Sequence, residues 1–210
     1  MSGDYLRDPD EIYAQSFAVI RAEADLSGIP AEIEPIAVRM MHASGMVDIV
    51  PEIRWAGEVV AQVEFALLEG APVFCDCEAV RAGISRRYLP ERVELVVTLN
   101  DPAVPGLAAR LGTTRSAAAL ELWRERLGGA VVVIGNAPTA LFHLLDLLEA
   151  GAPKPAAIIA TPVGFVGAAE SKAWLALDVN QVPFLTLLGR RGGSAIASAA
   201  LNAIARGMAR

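Results

Sequence analysis

Ala130-Val-Val-Val-Ile-Gly-Asn-Ala-Pro-Thr139 and Ala156-Ala-Ile-Ile-Ala-Thr-Pro-Val-Gly-Phe-Val-Gly167 share one pattern. Each is a short apolar run, then glycine and small polar residues, then a helical segment. The runs do not alternate with polar residues, as expected of strands covered on both faces. Pro72-Val-Phe-Cys75, Val93-Glu-Leu-Val-Val-Thr-Leu99 and Pro183-Phe-Leu-Thr-Leu-Leu188 repeat the pattern. Strand–helix alternation of this kind predicts an α/β fold. We expect three α/β/α layers around a roughly five-stranded, mostly parallel sheet, wound in both directions.

Upstream of these runs the spacing is helical. Asp8 can cap a first helix, Pro9 sits at its first position and Glu11 completes a capping box. Ile12, Phe17, Ile20 and Ala24 follow at helical spacing, and Gly28 and Pro30 end the segment. A second helix is expected from about Ala31 to Ala43, closed by Gly45. A third runs from about Gly57 to Leu68 and ends at Gly70. The chain therefore reads as one domain over 1–210. Residues 1–70 form a helical N-terminal part, packed on the sheet or on a partner subunit, and 71–210 form the parallel-sheet core.

Composition narrows the function. Hydrophobic residues make up 54% of 210 and charged residues 20%, so the chain can build a full core and disorder is excluded. The net charge of −6 argues against nucleic acid as a ligand. No apolar stretch is long enough to span a membrane. The most apolar segments are broken by Asn136, Pro138 and Asp146, and by Pro162 and Gly164. Met1-Ser-Gly-Asp-Tyr5 lacks the basic start and apolar run of an export signal. Cys75 and Cys77 are too close in sequence to staple a fold, so a reducing cytoplasm fits best. They read as part of a strand end. With only two histidines, far apart, no metal site is expected.

In open parallel sheets, ligands bind beyond the carboxyl ends of the strands. The residues there are Asp76 and Glu78, Asn100 and Asp101, Gly135 to Thr139, Thr161 to Gly167, and Gly189 to Ser194. Helix N-termini at such turns present free N–H groups to anions. Several along one edge, with Arg190 and Arg191 nearby, point to a ligand with several anionic groups. The alternative is that these are only tight turns and caps. No phosphate-binding loop, dinucleotide fingerprint or nucleophile elbow is present.

Histidine is the scarce reagent. His42 falls in the last turn of the second helix, where the helix dipole favours the imidazolium form and so a proton donor. The competing reading is a helix-capping histidine without chemistry. His143 reads as a packing or surface residue. Arg115 opens a helix, where the dipole disfavours a cation. It is placed either to grip a ligand carboxylate or to pair with Glu121.

Six segments, in order, resemble the precorrin-8X methylmutase family of cobalamin biosynthesis. They are Ile12-Tyr-Ala-Gln-Ser-Phe-Ala-Val-Ile-Arg-Ala-Glu, Val38-Arg-Met-Met-His-Ala-Ser-Gly, Thr114-Arg-Ser-Ala-Ala-Ala-Leu, Gly135-Asn-Ala-Pro-Thr-Ala-Leu-Phe, Pro162-Val-Gly-Phe-Val-Gly-Ala-Ala-Glu-Ser-Lys and Gly192-Gly-Ser-Ala. The resemblance covers nearly the whole chain. It implies an isomerase that moves a methyl group from C-11 to C-12 of a tetrapyrrole, formally a 1,5-sigmatropic shift, to give hydrogenobyrinic acid. No dissociable cofactor is implied. The implied substrate is a large, mostly apolar ring with carboxylate arms.

By the same resemblance His42 is the catalytic acid and Ser16 lies beside the substrate. Arg115 holds a carboxylate arm. Ser85, next to Arg86, adds a hydrogen bond, and Asn136, Thr139, Gly164 and Gly193 supply further contacts. Relatives are homodimers with the site near the interface, so Ser16 can serve the partner subunit. Transient contact with neighbouring pathway enzymes is a further implication. Ser44 departs from the Cys or Thr usual in relatives. His42-Ala-Ser-Gly45 resembles the cobalt-free branch more than the cobalt-bearing one, which usually shows His-Thr-Thr-Gly. The competing functions are a cobalt-precorrin-8 methylmutase, a corrinoid carrier without chemistry, and a sugar-phosphate or nucleotide enzyme.

Overall fold

The computed structural model describes residues 5–177 and 179–208. Met1 to Asp4 of the N-terminal segment read above lie outside the described residues. In chain order the elements are α1 (Pro9–Glu23), α2 (Glu34–Ser44), a 3-10 segment (Val47–Glu52), β1 (Ile53–Ala56), α3 (Val59–Leu68), β2 (Val73–Cys75) and α4 (Glu78–Gly83). There follow a 3-10 turn (Arg86–Tyr88), β3 (Leu95–Val96), α5 (Val104–Leu111), α6 (Arg115–Ala119), a second 3-10 segment (Leu120–Arg126) and β4 (Val131–Ile134). The chain ends with α7 (Pro138–Glu149), β5 (Ala157–Ala160), α8 (Ala168–Ala176), β6 (Phe184–Leu187) and α9 (Ser194–Gly207).

The sheet has the order β1-β6-β5-β4-β2-β3. All pairs are parallel except β1 with β6. The strands of β4, β5 and β6 are buried on both faces, which explains their unbroken apolar runs. Alternate side chains serve two cores. Val131, Val133, Ile159, Leu185 and Leu187 pack with α2, α3 and α9. Val132, Ile134, Ile158 and Phe184 pack with α7 and the Trp123 segment. The result is the expected three-layer arrangement. From β2 the chain goes outward to β3, then crosses back to β4 and onward to β5 and β6. The winding therefore reverses between β2 and β4, the place beyond whose strand ends open α/β sheets bind their ligands.

Three expectations are corrected. The sheet has six strands, and the sixth, β1, lies in the stretch read as helical, 1–70. Ile53-Arg-Trp-Ala56 has only Ile53 fully buried, so it carries no apolar run. It is an edge strand, recruited by backbone pairing to β6. The first helix stops at Glu23, before Gly28, because Ala24 turns extended and Asp25 bonds the N–H and hydroxyl of Ser27. Of the run from Val93 to Leu99, only Leu95 and Val96 join the ladder. The capping of α1 by Asp8 holds: its carboxylate accepts from the N–H groups of Asp10 and Glu11 at 2.8 and 3.1 Å. Gly45 closes α2 in the left-handed conformation, as expected.

Candidate functional site

His42 lies on the last turn of α2, and α1 crosses it. Helical spacing brings Tyr13, Ser16 and Phe17 of α1 onto one face, against the imidazole. The Tyr13 ring stacks on it at 5.2 Å between centroids, and Phe17 meets it edge-on at 5.4 Å. The Ser16 hydroxyl lies 2.8 Å from Nδ1. With the hydroxyl donating, Nδ1 is the acceptor and the ring proton sits on Nε2. Nε2 has no hydrogen-bond partner among the described residues. The imidazole is half-buried and borders a cavity of about 410 Å³ lined by Ile12, Val19, Met41 and Val47. The ring is thus fixed on two aromatic rings and one hydroxyl, with one nitrogen free for a ligand.

A second group gathers at the carboxyl ends of β3 and β4. Thr114 caps α6, and its hydroxyl meets that of Thr139 on α7 at 2.8 Å. Arg115 is exposed. It donates to the Leu99 carbonyl and the Asn100 side chain, each at 3.1 Å. It does not pair with Glu121, which instead binds Arg124 and His143. His143 is therefore a structural partner, at 2.8 Å from that carboxylate.

Asn136 is exposed beside them, but its backbone is committed. The N–H groups of Gly135, Asn136 and Ala137 all donate to the carboxylate of Asp76, at 3.0, 2.9 and 2.9 Å. Asp76 is 2% exposed, so burial pushes its carboxyl up while the three donors pull it back. The anion expected at this turn is the protein's own. In the sequence Asp76 is only an acid after the first strand, with nothing beside it that marks this role. The signal was an acid at the first strand end facing a glycine turn across the winding reversal.

The third group is the pair of turns after β5 and β6. The Gly193 N–H donates to the Thr161 carbonyl at 2.7 Å, and Gly164 donates to the Arg190 carbonyl at 3.2 Å. No side chain caps α8 or α9 here. Arg191 is taken up by Asp48 and Glu52, at 2.8 and 2.9 Å. This ties the turn to the segment just after His42. Lys172, fully buried, donates to the Arg191 carbonyl at 2.6 Å, and burial pushes its ammonium down to about 8. In the sequence Lys172 is only the last residue of the segment that begins at Pro162, with nothing beside it that marks this role.

Ser85 and Arg86 lie elsewhere. The Ser85 N–H donates to Asn202 on the second half of α9, and Arg86 binds the carbonyls of Val93 and Glu91. Within one chain, then, Ser16 joins His42, Arg115 sits near Thr139 and Asn136, and Gly164 and Gly193 share a third position. Ser85 and Arg86 stand at the opposite end of α9. Among the described residues no three His, Cys, Asp or Glu side chains gather as a metal site. Both cysteines are free, with Cys77 Sγ 3.6 Å from the Ser194 hydroxyl. No helix among the described residues is long and apolar enough to cross a membrane.

Comparison with known proteins gives this geometry a context. Residues 11–207 match the family model CbiC, described as precorrin-8X methylmutase. The chain is 58% identical over 202 residues to the precorrin-8X methylmutase of Pseudomonas aeruginosa, covering 96% of this chain and 97% of that one. It is 36% identical over 197 residues to the cobalt-precorrin-8 methylmutase of Priestia megaterium, covering 93% and 87%. The crystal structure of a precorrin-8x methyl mutase from Thermus thermophilus superposes with a TM-score of 0.84 at 33% identity, covering 95% of this chain and 96% of that one. By sequence along nearly its whole length and by fold, the chain belongs to the precorrin-8X methylmutase family.

Proposed function

We propose that this isomerase converts precorrin-8X to hydrogenobyrinic acid by moving a methyl group from C-11 to C-12 of the ring. The observation that carries the reading is the Ser16–His42 contact of 2.8 Å, which leaves Nε2 free. Ser16 is the positioning residue: with His42 as the imidazolium, Nδ1–H donates to the Ser16 hydroxyl and the Nε2 proton faces the ligand. His42 lends that proton to the ring system, electron density moves toward it, the methyl migrates, and the proton returns. Atoms and charge balance without an oxidant or reductant. Holding one rigid substrate in one pose supplies the rest of the rate. Arg115, Asn136, Thr139, Gly164 and Gly193 contact the substrate in this reading, as do Ser85 and Arg86.

These groups occupy separate places on one chain, which favours a homodimer in which one subunit's His42 faces the other's sheet edge. Action in the cytoplasm and contact with neighbouring pathway enzymes belong to the same reading. The cobalt-free substrate is favoured by identity of 58% to a relative named for it, against 36% to one named for the cobalt form.

The test mixes purified protein with precorrin-8X and follows the visible spectrum, with His42→Ala alongside. Conversion by wild type is expected, and a 10²- to 10⁴-fold slower shift in the variant, with binding retained. A shifted but static spectrum in both proteins would mean a carrier. Equal turnover in both would remove the acid role.

A further inference from the structure

The chain has two lysines, Lys154 on the surface and Lys172 on α8. Lys172 is fully buried, and among the described residues only Asp76 shares that state as a charged side chain. Asp76 is answered by three N–H donors. Lys172 has one hydrogen-bond acceptor among the described residues, the Arg191 carbonyl at 2.6 Å. Burial disfavours its ammonium, and the Glu52 carboxylate favours it. Taking an ammonium out of water is costly, and an apolar side chain of the same length would fill the space without that cost. The charge is therefore there for something other than packing.

What it holds is a hub. The Arg191 carbonyl takes the ammonium, while the Arg191 guanidinium holds Asp48 and Glu52 at 2.8 and 2.9 Å. One residue earlier, the Arg190 carbonyl accepts from the Gly164 N–H; two residues later, the Gly193 N–H donates to the Thr161 carbonyl. A Cβ on Gly192 would overlap the Thr161 and Pro162 carbonyls, so this turn lies hard against the end of β5. In the other direction, Asp48 and Glu52 belong to the 3-10 segment that begins at Val47, and Val47 lines the His42 cavity. Only Gly45 and Met46 separate that segment from α2. A long guanidinium arm can reach two carboxylates from more than one backbone pose. An ammonium is a compact donor that sits under a single carbonyl, and fixing that carbonyl selects one pose.

We infer that Lys172 is a positioning residue for the methyl shift: by fixing the Arg191 carbonyl it sets the clasp on Asp48 and Glu52, and so holds the sheet-edge turns and the His42 cavity in one alignment. The inference rests on the reading of His42 as the acid. Lys172 touches neither substrate nor reacting atoms; it acts through Arg191 and the Val47–Glu52 segment.

The test uses full-length protein with two readouts. Lys172→Met keeps the length and removes the donor; Arg191→Gln removes the clasp. The first readout is nitrogen NMR of protein labelled at histidine. With two histidines each imidazole has its own signals, and His143, held by Glu121, is the internal reference. Both variants are expected to move the His42 signals and leave those of His143 in place. The second readout is turnover of precorrin-8X. Each variant should lower kcat about tenfold, by more than KM rises, because misalignment acts on the chemical step. The double variant should be no slower than either single one, since both break one relay. Lys154→Met, the same change on the surface, should match wild type in both readouts.

Lys172→Met with lowered thermal stability but unmoved His42 signals and unchanged kcat would overturn the inference. So would losses that multiply in the double variant, since the two residues would then act apart. Should Lys172→Met fold poorly, Arg191→Gln decides alone, because unmoved His42 signals there would cut the relay. If wild type does not convert precorrin-8X, the methylmutase reading fails, while the His42 signals still test the relay.

Discussion

The turn after β4 and the turns after β5 and β6 start from similar sequence and reach opposite states. All three place glycine and small residues between a buried strand and a helix. After β4, three successive N–H groups are consumed by Asp76 from the neighbouring strand end. After β5 and β6 no side chain caps the helix, and Phe165 and Val166 stand 85% and 88% exposed on the loop between. One turn is a sealed joint at the winding reversal; the others are open toward solvent. A glycine turn is therefore no anion site until its donors are shown to be free. Here the winding reversal itself brings an acid into reach of the donors.

Substitutions can break that contrast. The largest effect is expected from Asp76→Ala, which strands three N–H groups with no acceptor. Loss of about 3 kcal/mol of stability should appear in urea unfolding. Asp76→Asn keeps an acceptor and should lose less. Next is Gly135→Ala on the sealed side: a Cβ there would lie 2.7 Å from the Ser194 backbone, so the turn and α9 must separate. A cost of about 2 kcal/mol is expected. The matching change on the open side, Gly164→Ala, meets no atom within 4 Å but inherits a φ of +149°. Strain alone should cost about 1 kcal/mol. Equal losses at the two glycines would erase the distinction between the turns.

A smaller effect separates the strut that supports the open turns. The Lys172 ammonium is pushed down to about 8 by burial, against an ordinary value near 10.5. Between those values the unfolded chain binds more protons than the folded one, so this group makes stability rise with pH. The buried Cys75 thiol, pushed up, works in the opposite sense above its ordinary range. Subtracting the pH profile of Lys172→Met from that of wild type removes the thiol's part. The difference should grow by about 1 kcal/mol from pH 8 to 9. A flat difference would show that the amine is charged alike in both states.

The strand runs were legible because burial on both faces writes itself as unbroken Val, Ile, Leu and Ala. The N-cap at Asp8 and the stop at Gly45 were legible because caps are local chemistry. The edge strand Ile53–Ala56 was not, since its place depends on the backbone of β6 and not on its own side chains. The candidate site divides in the same way. His42 stood out by scarcity and position. Its support did not, because Tyr13, Ser16 and Phe17 matter only once α1 crosses α2.

What the sequence by itself determined is the parallel α/β layering, the start of α1, the ends of α2 and α3, and the family. All of these follow from patterns read within a few residues, or from ordered motifs. What only the tertiary structure decided is which polar groups are already spent. Asp76 on three N–H groups, Arg191 on two carboxylates and Arg115 on the Leu99 carbonyl are all contacts between residues distant in the chain. A donor is free or bound according to what folding brings within 3 Å or so of it, and that distance is set across elements and not along the chain.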